Sequence, residues 1–383
     1  MAFLGNNAVN RINLHFGIEA FAQMGGTVFF LAFLLHAGVP IPVALASQAA
    51  IHVARFAIRP VVLPLARRIG LRRVVVIGAL AMAPQYPLLA EVHGIGPALA
   101  ILCVATAIGD VLYWPAYHAY FAAVGDAEHR GHQIAAREAL VALIGIVAPL
   151  AVGWSLVTAG PRWTFAAVGL IQVLAALPLL GAPNVSVLDS APGALRAARL
   201  GTLLQGLDGW FCACYYFVWQ VGLFVALHRS LTAYGGAMAV AALVGAVSGL
   251  FLGRAIDLGH ARRAVILAFA VTATVVGLRA LSLGSPWLAV TANALGALVT
   301  ALEVPVLMTA TYNLAKASPC PLRFHIATEG GWDLGCFCGC LAAAALAAVG
   351  VSLSVAILLA LPGILLTAVL LWRHYPQGLT ARA

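Results

Sequence analysis

Residues 17 to 21 read GIEAF, and residues 206 to 210 read GLDGW. Each stretch sets one carboxylate, Glu19 or Asp208, a short way into a run of otherwise apolar side chains. An isolated acid in such a run is costly unless it faces protein or water. Its recurrence 189 positions later therefore points to a repeated architecture. Other features keep the same spacing. Arg72 and Arg73 map onto Arg262 and Arg263 at 190, Pro115 onto Pro305 at 190, Gly145 onto Gly335 at 190, and Glu138 onto Glu329 at 191. A constant offset over so many positions means that the chain is written twice. The copies are expected at 1–182 and 200–383, joined by a linker at 183–199 that holds Pro183, Pro192 and Gly193.

With 63% hydrophobic and 9% charged residues and a mean hydropathy of +1.00, the chain has more apolar surface than a water-soluble globule of 383 residues could hide. The expected class is an all-α integral membrane protein. A bilayer core needs roughly 20 apolar residues per helix. Twelve such stretches can be marked off, numbered here as spans 1 to 12: 12–37, 41–66, 74–93, 97–123, 138–159, 163–182, 200–227, 232–256, 264–284, 286–312, 325–349 and 352–373. The first run carries His15, Glu19 and Gln23 and is too long for a cleavable signal, so the N-terminus is expected to be retained. Six of the seven cysteines fall in spans, where they read as small packing residues. Cys336, Cys338 and Cys340 do not share one helix face, which argues against a soft-metal site.

The net charge of +9 sorts by loop. Arg67, Arg68, Arg72 and Arg73 follow span 2; Arg130 and Arg137 follow span 4; Arg196 and Arg199 follow span 6. Arg254, Arg262 and Arg263 follow span 8, and Lys316 and Arg323 follow span 10. The intervening loops hold little beyond Arg162, Arg229 and Arg279. Basic residues thus alternate by side, which places both termini and the linker in the cytoplasm. The charge serves topology, and no nucleic-acid partner is expected.

Two six-helix halves of like orientation resemble the plan of major facilitator superfamily transporters. The loop GRAIDLGHARR, Gly253 to Arg263, is similar to that superfamily's cytoplasmic pattern of Gly, an acid and a basic pair. The first-half counterpart, LPLARRIGLRR, has Leu63 and Arg67 where Gly and Asp are usual. GIVAPLAVG, Gly145 to Gly153, is similar to the Gly-Pro pattern of the family's antiporters. The resemblance implies an interhalf latch that depends on Asp257, and a central cavity lined by spans 1, 4, 7 and 10. Arg262 and Arg263 read as topogenic anchors as readily as parts of that latch.

Each cavity span carries one acid: Glu19, Asp110, Asp208 and Glu303. Span 2 carries Arg55 and Arg59, and span 11 carries Glu329 and Asp333, a further set of candidate gating pairs. At about 1.5 Å per residue, Glu19 and Asp208 lie ~10 to 12 Å from the inner boundary. Arg59 reaches similar depth, so Glu19 is expected to pair with Arg55 or Arg59 and serve structure. The match to Arg59 in span 8 is Gly249, which leaves Asp208 without a cation and marks it as the proton carrier. Tyr113, Trp114, Tyr117 and His118 in span 4, with Trp210, Tyr215 and Gln220 in span 7 and Gln23 in span 1, are the candidate substrate contacts. Such rings suit aromatic, amphipathic or cationic solutes, and they also suit packing and interface belts.

The expected function is a secondary transporter in a bacterial inner membrane that moves a small organic molecule by alternating access with proton coupling. The span 5 pattern favours export; uptake of a cationic or amphipathic solute is the alternative. No GxxxxGK[ST] loop is present to use ATP. A lipid-handling enzyme with His118 or His52 as base is the remaining class, against which the scattered histidines argue. The expected partners are substrate, protons and lipid, with no cofactor and a monomeric state.

Overall fold

The computed structural model describes residues 7–124, 130–256 and 261–375. Every regular element among them is helical, and twelve helices are long and apolar enough to cross a membrane. These spans run Asn7–His36, Ile41–Ile69, Leu71–Ala90, Pro97–Phe121, Leu140–Thr158 and Pro161–Leu180 in the first half. The second half has Arg199–Ala226, Leu231–Ser248, Arg262–Ser282, Pro286–Ala317, Pro321–Ala348 and Leu353–His374. Spans 2 and 3 extend beyond their apolar runs through basic turns, because Arg67, Arg68, Arg72 and Arg73 can stay helical while their heads reach the polar zone. Only Gly70 separates them, and its φ of 82° reverses the chain where a side chain would strain it. Pro lies in the first turn of spans 2, 6, 10 and 11, where its missing N–H costs nothing.

The repeat is visible as repeated packing. Span 1 packs on span 5 as span 7 packs on span 11, and span 3 packs on span 4 as span 9 packs on span 10. Gly17 faces the Leu140 side chain, while its mate Gly206 faces the backbone of Gly331. The crossing of spans 7 and 11 is close: any side chain at Gly335 would run into the Gly206 carbonyl, and one at Gly209 into the Trp332 carbonyl. This is small-residue packing of the kind that lets helices meet without a hydrophobic drive.

The halves meet along spans 2 and 11 and along spans 5 and 8. In the second contact Gly145 lies against Ala242 and Gly153 against the Leu231 carbonyl, so the Gly-Pro segment of span 5 forms the seam. Phe29 and Tyr234 close the end of that seam away from the linker, with ring centroids 5.5 Å apart and Tyr234 Oη donating to Val28 O at 3.1 Å. At the other end the linker docks on the first half. Tyr120 Oη donates to Pro183 O at 2.6 Å, and Asn184 bonds to Ile69 O and to the Arg72 amide.

Among the described residues, single turns break spans 3, 6 and 12 at 83–84, at Ala176 and at Leu359, and other helical geometry replaces the α turn inside three further spans. Short 3₁₀ turns interrupt span 1 at Thr27–Phe29 and span 2 at Arg59–Val61. A π turn, Ala213–Phe217, interrupts span 7. Pro115 and Pro305 sit inside spans 4 and 10.

Candidate functional site

Span 2 delivers His52, Arg55 and Arg59 from successive turns to the face it shares with span 11. Asp333 of span 11, fully enclosed, receives all three. Arg55 Nε lies 2.9 Å from Asp333 Oδ1, His52 Nδ1 lies 3.3 Å from the same oxygen, and Arg59 Nη2 bonds to Asp333 Oδ2. Arg55 also reaches Asp110 Oδ2 of span 4 at 3.2 Å and Glu329 Oε2 at 3.7 Å. Glu329 in turn lies 3.8 Å from His118 Nε2, and His118 stacks on His325 at 5.6 Å. One network thus ties spans 2 and 4 of the first half to span 11 of the second.

Glu19 is not in it, contrary to the pairing expected from depth alone. The residue is 1% exposed, and no cation stands within ion-pair reach of its carboxyl group among the described residues. The reason is geometric. Span 2 packs lengthwise on span 11, while span 1 packs on spans 5 and 6 and meets span 2 chiefly near Phe30–His36. The arginines therefore face three acids of other spans and turn away from Glu19. Gln23, one turn further along span 1, is the polar neighbour of Glu19.

A second acid pair stands beside the network. Asp208 Oδ2 accepts from Trp332 Nε1 at 3.1 Å, and Cys212 Sγ approaches its oxygens at 3.9 Å. Glu303 of span 10, 3% exposed, is its acidic neighbour. Neither has a cationic partner among the described residues. Trp332 joins the two groups: its indole N–H serves Asp208, Arg55 lies over its ring at 5.3 Å, and His52 meets it edge-on at 5.2 Å. Trp332 is a functional neighbour not among the sequence candidates, although EGGWD, residues 329–333, sets its indole between two mid-span acids.

The aromatic candidates divide. Trp114 is partly exposed and stacks on His118 at 5.9 Å, next to Glu329. Tyr113 is enclosed in the first half, bonded to His15 Nε2 at 2.8 Å, while His15 Nδ1 reaches Ala175 O at 2.7 Å. Tyr117 stacks between Tyr113 and Phe16 at 5.4 and 5.1 Å. Trp210 turns to span 12, where its N–H bonds to Leu359 O at 2.6 Å. Tyr215 is buried under the Arg279 guanidinium at 3.8 Å. Gln220 is half-buried. The structure thus gathers Trp114 and His118 with the charged network and uses Tyr113, Tyr117, Trp210 and Tyr215 to join helices. Arg279, assigned to a loop above, lies within span 9 and is buried.

At the linker end, Asp257 lies outside the described residues. Arg262 donates from Nε to Tyr375 O at 2.7 Å and stacks over Trp372 at 4.4 Å, and Arg263 is exposed. Its mate Arg72 donates to Leu180 O and Ala182 O at 2.8 and 2.7 Å. Each therefore fastens the end of the last span of its own half. The acid that the first-half loop lacks is supplied by the linker: Asp189 pairs with Arg67 at 2.7 Å, and its carbonyl accepts from Arg323 of span 11 at 2.9 Å.

Solved structures share this fold. The human organic anion transporter MFSD10 (TETRAN) superposes with a TM-score of 0.70 over 95% of this chain and 99% of that one, at 15% identity. An auto-inhibited POT family peptide transporter superposes with a TM-score of 0.64 over 98% of each chain, at 14% identity. Such identities speak for the fold alone. Among curated protein sequences none matches this chain. The family description "Major Facilitator Superfamily" matches residues 18–318, most of the sequence. The chain belongs to the major facilitator superfamily and is a multi-pass membrane transporter, not an enzyme.

Proposed function

We propose that this transporter moves a small organic solute by alternating access and couples that movement to protons. In this reading the halves 1–182 and 200–383 rock about the linker 183–199, and Asp208 and Glu303 carry the proton. The observation that supports it is the division of charge. Both span 2 arginines are committed to Asp333, Asp110 and Glu329, whereas Asp208 and Glu303 have no cation among the described residues. A buried carboxylate in that position can be neutral or charged as its surroundings open and close, which links its proton to the orientation of the cavity.

The same surplus of acid favours solutes that are neutral or positively charged. The organic anions named for one structural neighbour fit a site of this sign poorly. Trp114 and His118 offer ring faces beside Glu329, suited to an aromatic or amphipathic amine. Export is favoured by the similarity of Gly145–Gly153, which lies in the seam between spans 5 and 8, to the Gly-Pro pattern of the family's antiporters. Uptake of a cationic solute is the second reading, favoured by the unpaired Glu19 in the opposite half. The basic linker end is assigned to the cytoplasm of a bacterial inner membrane, and the chain acts as a monomer.

The test is reconstitution into vesicles that enclose a pH-sensitive dye, challenged in turn with organic amines, sugars, carboxylates and peptides. Solute-dependent proton movement with one of the first two classes is the expected result. Solute flux that never moves protons would remove the coupling, and flux restricted to carboxylates would remove the charge argument.

A further inference from the structure

Span 7 carries the coupling acid of this reading, and its two ends are fastened to different partners. Before the π turn, Gly206 and Gly209 lie on the span 11 backbone and Trp210 Nε1 is bonded to Leu359 O at 2.6 Å. After it, Trp219 Nε1 is bonded to Asn293 Oδ1 of span 10 at 2.9 Å, and Gly222 packs under Leu283 of the second half. A π turn holds one residue more than an α turn in the same rise, and one residue is about 100° of rotation. With the turn in place both fastenings are met at once. A straight helix of this sequence would set Asp208 about 100° away from its present bearing relative to Trp219.

Arg279 holds that turn. It is 3% exposed and has no acidic partner among the described residues. A lone buried guanidinium of this kind is expensive, and the cost is offset by aromatic faces: Tyr215 at 3.8 Å, Trp219 at 4.8 Å and Tyr216 at 6.0 Å. All three rings come from the turn or the residues just after it. Its Nη1 donates to the Tyr215 carbonyl at 2.8 Å, in the segment where the Val218 N–H bonds to Ala213 O in place of an α partner. Gly296 of span 10 leaves the room, because any Cβ there would overlap Arg279 Nη2.

The geometry points to Arg279 as a positioning residue: by clamping the Ala213–Phe217 π turn it fixes the angle at which span 7 presents Asp208 to Trp332 and Glu303. The clamp is independent of how the proton is used; its functional consequence rests on the reading of Asp208 above.

The experiment is structure determination by electron cryomicroscopy of the purified full chain, bound to a rigid antibody fragment, for Arg279→Met and Arg279→Lys. Tryptophan fluorescence is titrated with pH in parallel. Arg279→Lys, which keeps a donor and a charge, is expected to retain the π turn. Arg279→Met is expected to run α-helical through 213–217, break the Asp208–Trp332 bond, and lose the pH-dependent emission that Asp208→Asn also removes. A π turn and an Asp208–Trp332 bond intact in Arg279→Met overturn the proposal. If Arg279→Met does not fold, Gly296→Ala decides by the same two outcomes, since its methyl displaces the guanidinium without removing it. A parent protein with no pH-dependent emission counts against Asp208 as the coupling acid, and the register in the variant structures still decides the clamp.

Discussion

Replacing Asp333 by Asn removes the charge at the centre of the network while keeping its shape. Asp333 is fully enclosed, and Arg55, Arg59 and His52 all converge on it. With Asn in its place, Arg59 has no acid left among the described residues, and Arg55 keeps only Asp110 and Glu329 at 3.2 and 3.7 Å. Breaking a buried ion pair from one side costs about 3 to 5 kcal/mol, because the remaining charge stays buried without compensation. Two guanidinium groups share the loss here, so the upper part of that range applies. Asp110→Asn is the internal control. Asp110 is more exposed, at 16%, and Arg55 still has Asp333 when it is gone, so about 1 kcal/mol is expected, near the value for exposed pairs.

An unfolding entropy of roughly 2.1 cal/mol/K per residue makes the Asp333→Asn loss a fall of ~5 to 6 °C in Tm for a chain of this length. The pair also joins spans 2 and 11 across the halves, so the same loss should favour conformations in which they part. Nitroxide labels at Arg68→Cys and Lys316→Cys, at the linker end of each half and in a background without native cysteines, report that separation by pulsed electron spin resonance. A new longer distance is expected in Asp333→Asn and not in Asp110→Asn. The reasoning fails if the two variants unfold within 1 °C of each other by a rough error margin, or if the distance distribution is unchanged.

Three other outcomes follow from the same geometry. Asp208→Asn should abolish proton-driven accumulation while counterflow remains measurable; accumulation against a gradient at the parental level would pass the role to Glu303. Glu19→Gln should unfold at or above the parental Tm, because it replaces a buried carboxyl group that has no cationic partner with a neutral amide of the same shape; a fall as large as that of Asp333→Asn would mean that Glu19 has a charged partner in the folded state. Gly335→Ala forces a methyl into the Gly206 carbonyl and should cost on the order of 1 to 3 kcal/mol or prevent assembly, read as the monodisperse yield in size-exclusion chromatography. Parental yield and stability would show that spans 7 and 11 can separate freely at that crossing.

The twelve spans and the doubling could be read directly from the sequence because both are properties of order along the chain: apolar length, and a fixed offset that carries Arg72 to Arg262 and Glu19 to Asp208. Even the paired anchoring of Arg72 and Arg262 follows that offset. What could not be read was azimuth. Depth along a helix is a matter of counting, but whether Arg55 turns to span 1 or span 11 depends on which neighbour lies on that face. Here that neighbour is set by the packing of spans several turns away. Trp332 and Arg279 were missed for a related reason. A ring or a guanidinium near the end of an apolar run reads as an interface residue until its neighbours are known, and the YYFVW cluster that houses Arg279 lies 60 to 64 positions away from it, in another span.

The repeat also shows where the halves were made different. By the offset, the mate of Arg55 in span 8 is Gly245, and the mate of Asp333 in span 5 is Leu143. The contact of spans 2 and 11 is therefore built on buried ions, and its counterpart of spans 5 and 8 on glycine, alanine and a proline carbonyl. The two seams respond to different forces. Small-residue packing depends little on charge, whereas a buried ion network weakens whenever water or a proton reaches one member. On the proposed function, a solute or proton entering beside Glu329 and Asp110 would act on one seam and leave the other in place. In the alternating-access cycle proposed above, that difference lets one seam respond to charge while the other holds the two halves together.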